Sequence, residues 1–70
     1  MPQMVVEYSE NIQNLDAESL LLGLNHSLFA TGLVGHPDDI KTRVRGNSDF
    51  LIGFGESLQA YIHVRLAILS

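Results

Sequence analysis

One stripe of apolar residues at helical spacing, set between short runs that alternate like strands, limits what this chain can fold into. Ala17, Leu20, Leu21, Leu24 and Leu28 recur at the steps that put side chains on one helix face. The spacing predicts a helix over about 15–31, with Asn14 or Asp16 as N-cap. Glu18 suits the positive end of its dipole, and Gly32 suits a left-handed terminator. Gly23 lies inside this stretch at a cost of roughly 1 kcal/mol relative to alanine, which close packing of the helix on a strand would explain. Leu22 and Phe29 fall off the stripe and are candidate interface residues.

Before the helix, residues 3–8 form a β-prone run in which Met4, Val6 and Tyr8 share one face and Gln3, Val5 and Glu7 the other. After it, a turn at Gly35–Asp39 leads into residues 40–45, which alternate cleanly as a strand. Residues 50–54 are apolar but broken by glycine, so strand and loop both remain open there. Residues 61–69 read as the last strand, with Ile62, Val64, Leu66 and Ile68 on one face and Tyr61, His63 and Arg65 on the other. A strand-helix-strand order favours a parallel pair with the helix across it. The expected fold class is therefore α/β or α+β, as a two-layer sandwich.

Size narrows this further. Seventy residues make one domain at most, and such a domain buries only about 60% of the surface its unfolded chain exposes. There is no cysteine, so disulfides and thiolate metal sites are excluded. His26, His36 and His63 show no ligand spacing, so no metal site is expected. Hydrophobic residues make up 46% and charged residues 17%, the latter below the ~25% of a typical domain. Partner copies are the remaining source of burial, so a homo-oligomer is expected. A net charge of −4 argues against nucleic acid. No apolar run nears the ~20 residues of a membrane span, and no signal peptide is visible. The expected setting is cytoplasmic.

Two features carry chemistry. Pro2 follows an initiator methionine of the kind usually removed before a small residue. The exposed terminus would be a secondary amine able to accept a proton. Ordinary α-amino groups titrate at about 7.7–8.0, and apolar or cationic surroundings lower that value, which suits a base near neutral pH. The plain alternative is a proline leading into an edge strand. The second feature is the cations. Three of the four, Lys41, Arg43 and Arg45, alternate along one predicted strand. They project from one face at steps of about 6.5–7 Å. Such a row suits a bound carboxylate, which arginine grips through two parallel hydrogen bonds. It equally suits a solvated face matched by nearby acids. His63 reads as a structural histidine and His26 as exposed or at a subunit contact. Gly53-Phe54-Gly55 lacks the helix and lysine of a phosphate loop, and neither Ser9 nor Ser57 has a nucleophile context.

Taken in order, these segments resemble one family. Pro2 to Ile12, with its short apolar strand, Glu7 and Ser9-Glu10-Asn11-Ile12, is similar to the opening of 5-carboxymethyl-2-hydroxymuconate isomerase. Asn25, Leu28 and Ala30-Thr31-Gly32 resemble the end of that family's first helix. Ile40-Lys41-Thr42-Arg43-Val44 resembles its Ile-Arg-x-Arg-Val strand, and Tyr61 to Leu66 its aromatic-Val-His strand. The family belongs to the tautomerase superfamily, with 4-oxalocrotonate tautomerase and macrophage migration inhibitory factor. The resemblance implies β-α-β units assembled as trimers or hexamers, with no cofactor or metal. It implies an amino-terminal proline that moves a proton between carbons of an unsaturated 2-hydroxy or 2-oxo acid. Carried over by position, Pro2 is the base, and Lys41 and Arg43 match the cationic strand that holds substrate carboxylates. Arg45 and Arg65 are further candidates from their chemistry alone.

Three departures qualify the likeness. Lys41 stands where the family has arginine and offers a point charge instead of a planar fork. The sequence stops just past Leu69, where the family continues into a second helix and strand, so the Ile62-Val64-Leu66-Ile68 face should lack its covering helix. While Met1 is present, the Pro2 nitrogen is an amide whose lone pair is delocalised. The expected function is an isomerase of aromatic-compound catabolism acting on a di- or tricarboxylic acid. The alternative is an inactive relative serving as an oligomeric or small-acid-binding module.

Overall fold

The computed structural model describes residues 2–68 and shows an α+β fold, one helix and a three-stranded mixed sheet. The elements are β1 (Gln3–Ser9), α1 (Ala17–Ala30), a 3-10 turn (Pro37–Asp39), β2 (Lys41–Asn47) and β3 (Ile62–Ala67). The strand order is β2-β1-β3. β1 runs parallel to β2, with Val6 opposite Val44, and antiparallel to β3, with Val6 opposite Val64. The helical connection between β1 and β2 makes the β-α-β unit, and β3 adds to the far side of β1. The final strand expected over 61–69 is observed as Ile62–Ala67, and Leu69 lies outside the described residues.

Local chemistry sets the helix limits. Of the two expected caps, Asp16 serves: its carboxylate accepts from Ser19 N at 3.1 Å and from Ser19 Oγ at 2.8 Å. Asn14 instead takes a left-handed conformation, φ 61°, in the approach to the helix. At the other end, Gly32 at φ 79° donates to Phe29 O at 3.2 Å, as the reading of a left-handed terminator requires.

The core is small. Met4, Leu28, Val34 and Ile40 are buried together, with Leu24 packed against them, and Val6 is wholly enclosed. The predicted helix stripe is less buried than expected. Only Leu28 on α1 is buried, and Ala17, Leu20, Leu21 and Leu24 are half-covered. The reason is geometric: α1 packs over the β1–β2 side of the sheet. The same face of β3 is left open, with Ile62 at 50%, Val64 at 42% and Leu66 at 46% exposure.

The packing reason anticipated for Gly23 does not hold: a Cβ there would meet nothing within 4 Å. Close approach occurs instead at Gly46, where a Cβ would lie 2.9 Å from Tyr8 Oη and 2.9 Å from Glu10 Cγ. Tyr8 is its cross-strand neighbour, and the ring covers the glycine. Residues 50–54 are loop, not strand, turning through Gly53 and Gly55 with Gly55 N donating to Ile52 O at 3.0 Å.

Candidate functional site

The register places every lysine and arginine of the chain on one side of the sheet. Successive strand residues point to opposite faces. Met4 and Val6 face the helix. The opposite face therefore carries Gln3, Val5 and Glu7 from β1, Lys41, Arg43 and Arg45 from β2, and His63 and Arg65 from β3. The rows across the sheet run Lys41–Gln3–Ala67, Arg43–Val5–Arg65 and Arg45–Glu7–His63. Lys41, Arg43, Arg45, His63 and Arg65 are all exposed. All four cations but only one of the eight acids, Glu7, hold strand positions on this face.

The charges are only partly matched. Arg45 Nη1 lies 4.0 Å from Glu7 Oε1. Arg43 donates through Nη1 and Nη2 to Gln3 Oε1 at 3.3 and 3.4 Å, a neutral acceptor that orients the guanidinium without cancelling its charge. Lys41 Nζ donates to the Asp38 carbonyl. Among the described residues no ion pair engages Lys41, Arg43 or Arg65.

Pro2 is buried at the head of β1, and its carbonyl accepts from Lys41 N at 3.1 Å. The fold thus brings Pro2 to the end of the sheet where the cation row begins. Arg43 is one two-residue step further on. Arg45 lies roughly 13 Å along the strand from Lys41 and faces Glu7, so the fold does not gather it with Pro2.

The opposite end of this face is closed. Ser9 is fully buried; its backbone N donates to Tyr61 O at 3.1 Å and its hydroxyl accepts from Tyr61 N at 3.0 Å. Asn47 Nδ2 donates to Tyr61 Oη at 2.8 Å, and Phe50 meets the Tyr61 ring edge-on at 5.7 Å between centroids. Asn11 Nδ2 donates to Gln59 O at 2.8 Å. These contacts latch the loop before β3 onto β1 and so set the β3 register that puts Arg65 beside Val5.

The sequence pattern alone did not single out Gln3 and Val5. Their shared parity with Lys41, Arg43 and Arg45 was the available signal, but the pairing register was needed to use it. His63, expected to be structural, is exposed beside Glu7. His36 caps the 3-10 turn, its Nδ1 accepting from Asp38 N at 3.1 Å.

A cleft of about 470 Å³ lies away from this face, between α1 and the 3-10 turn, lined by Leu22, Asn25, His26, Phe29, Pro37 and Ile40 among others. It includes neither Pro2 nor any of the cations. Among the described residues no group of three or more potential ligands could hold a metal ion, and no helix is long and apolar enough to cross a membrane. No protein-family model matches the chain, and no curated protein matches it in sequence.

Proposed function

We propose that this chain is the subunit of a tautomerase-type isomerase. It moves a proton between carbons of an unsaturated 2-hydroxy or 2-oxo di- or tricarboxylic acid, with Pro2 as base once Met1 is removed. The proposal rests on one observation above all: the head of β1 is hydrogen-bonded to the first residue of the cation row, Pro2 O to Lys41 N at 3.1 Å. A proton acceptor there would work beside cations able to hold the substrate.

In this reading Lys41 and Arg43 take a substrate carboxylate and the oxygen on which negative charge grows as the proton leaves. Cations so placed act more strongly on the transition state than on the ground state. Arg45, facing Glu7, contributes its field more than a direct grip. The sheet face is open to solvent, and a neighbouring copy would supply the missing wall. The proposed assembly is a homo-oligomer, a trimer or hexamer, in the cytoplasm. Its motive is the 46% hydrophobic composition and the apolar residues left open on α1 and β3, Leu22 and Phe29 among them.

The test is steady-state kinetics on a dicarboxylate dienol. Removing one charged hydrogen-bond partner costs about 1.5–3 kcal/mol, or about 10- to 150-fold in rate. Arg43→Ala should lower kcat/KM by at least about tenfold, and Arg43→Lys should recover part of it. Near-normal kinetics in a folded, assembled Arg43→Ala protein would show the cation row to be a solvated face. A second reading keeps the binding and drops the chemistry. It is favoured by Lys41, which offers a carboxylate a point charge instead of a planar fork.

A further inference from the structure

We propose that Arg43 and Arg65 form a two-arginine clamp that binds both ends of a short dicarboxylate over Val5. The two residues are far apart in sequence, but both are in register with Val5, Arg43 from the parallel side and Arg65 from the antiparallel side. Neighbouring strands lie about 4.7–4.9 Å apart, so the two Cα atoms flank Val5 at roughly 10 Å. Both side chains leave the same face, and an arginine is long enough to reach over the central strand.

The three groups play different parts. Val5, half-buried between the arginines, is an apolar floor for a carbon spacer. Arg43 is oriented by Gln3 through two nitrogens, which turns its fork without neutralising it. Arg65 is exposed, and no ion pair among the described residues engages it. The nearest acid on the face, Glu7, is set between Arg45 and His63 and lies 4.0 Å from Arg45. Two like charges that flank Val5 with no acid in register between them favour a ligand that brings one carboxylate to each, and each guanidinium can take a carboxylate through two parallel hydrogen bonds.

The rest of the surface sets the ligand's size. The other seven acids hold no strand position on this face, and no lysine or arginine lies outside it. The net charge of −4 disfavours a long polyanion, whereas a short diacid stays within the positive patch. The clamp rests on the isomerase reading only for the identity of a natural substrate; the binding needs no free proline amine.

The experiment is calorimetric titration of the full chain with succinate, glutarate and adipate, with acetate as control, at constant ionic strength. At least one diacid should bind one per chain and at least about tenfold more tightly than acetate. Arg65→Gln, which keeps much of the side-chain stem, and Arg43→Gln should each remove that advantage while acetate binding changes less. Arg65→Lys should restore part of it. Diacid binding no tighter than acetate, or unchanged in a folded Arg65→Gln protein, overturns the clamp. So does an Arg65→Gln protein that loses only its oligomeric mass in sedimentation, because the face would then dock an acidic segment of another copy. Diacid binding lost in Arg65→Gln with no isomerisation by the processed wild-type protein supports the clamp and refutes the isomerase. Isomerisation unaffected by Arg65→Gln, with diacid binding also unaffected, does the reverse.

Discussion

Ser9→Ala removes one oxygen and tests how the sheet is assembled. Ser9 has no exposed surface, and its hydroxyl is the acceptor for Tyr61 N at 3.0 Å. Without it that N–H, already part-buried, loses its partner behind a Tyr61 side chain that Asn47 and Phe50 hold in place. Leaving a buried donor unsatisfied costs about 1–3 kcal/mol. Folded domains are stable by about 0.05–0.15 kcal/mol per residue, so this is a substantial share of what holds a chain of this size. The unfolded fraction should rise about 5- to 150-fold by the same estimate. Urea unfolding followed by circular dichroism reads the loss as a lower midpoint at unchanged slope. Asn11→Ala, which removes an exposed bond to Gln59 O, should cost only about 0.5–1.5 kcal/mol. A Ser9→Ala midpoint indistinguishable from wild type would refute the latch and with it the reason given for the position of Arg65.

Gly46→Ala should destabilise by about 1–3 kcal/mol, because its Cβ would press on Tyr8 and Glu10 at 2.9 Å. Gly23→Ala meets open space and should stabilise by roughly 0.4–1 kcal/mol; thermal melts should rank the two in that order. The Ser19 N–H, and then its hydroxyl, hold the Asp16 carboxyl below the usual carboxylate range. The cap therefore contributes fully above the ordinary aspartate pKa of the unfolded chain and is lost as pH falls through the lowered folded value. An Asp16→Asn protein should lack this part of the acid sensitivity of the melting temperature. Light scattering at micromolar concentration should give a multimeric mass; a monomer that unfolds cooperatively would contradict the proposed assembly.

The sequence allowed the element order, the parallel β1–β2 pair and the helix ends to be read, because Met4/Val6 parity, the Leu24/Leu28 spacing and the Asp16 and Gly32 signals are local. Long-range features were harder. Gly23 invited a packing explanation that belongs instead to Gly46, since a glycine's neighbours depend on which strands pair. The helical stripe predicted a fuller core than α1 achieves, because periodicity gives the face of a helix but not the width of sheet beneath it. In the site, the alternation of Lys41, Arg43 and Arg45 was legible on one strand. The placement of Arg65 across Val5 from Arg43 was not, because it depends on the antiparallel register latched by Ser9 and Tyr61.

The central claim is that a free proline amine at the head of β1 acts as a base beside the cation row. The most direct measurement is the ketonisation rate of a dienol dicarboxylate by two preparations verified by intact mass, one retaining Met1 and one beginning at Pro2. The account predicts catalysis by the processed protein and a rate no faster than buffer for the protein retaining Met1. Equal rates for the two preparations would contradict it, because an amide nitrogen cannot serve as the base.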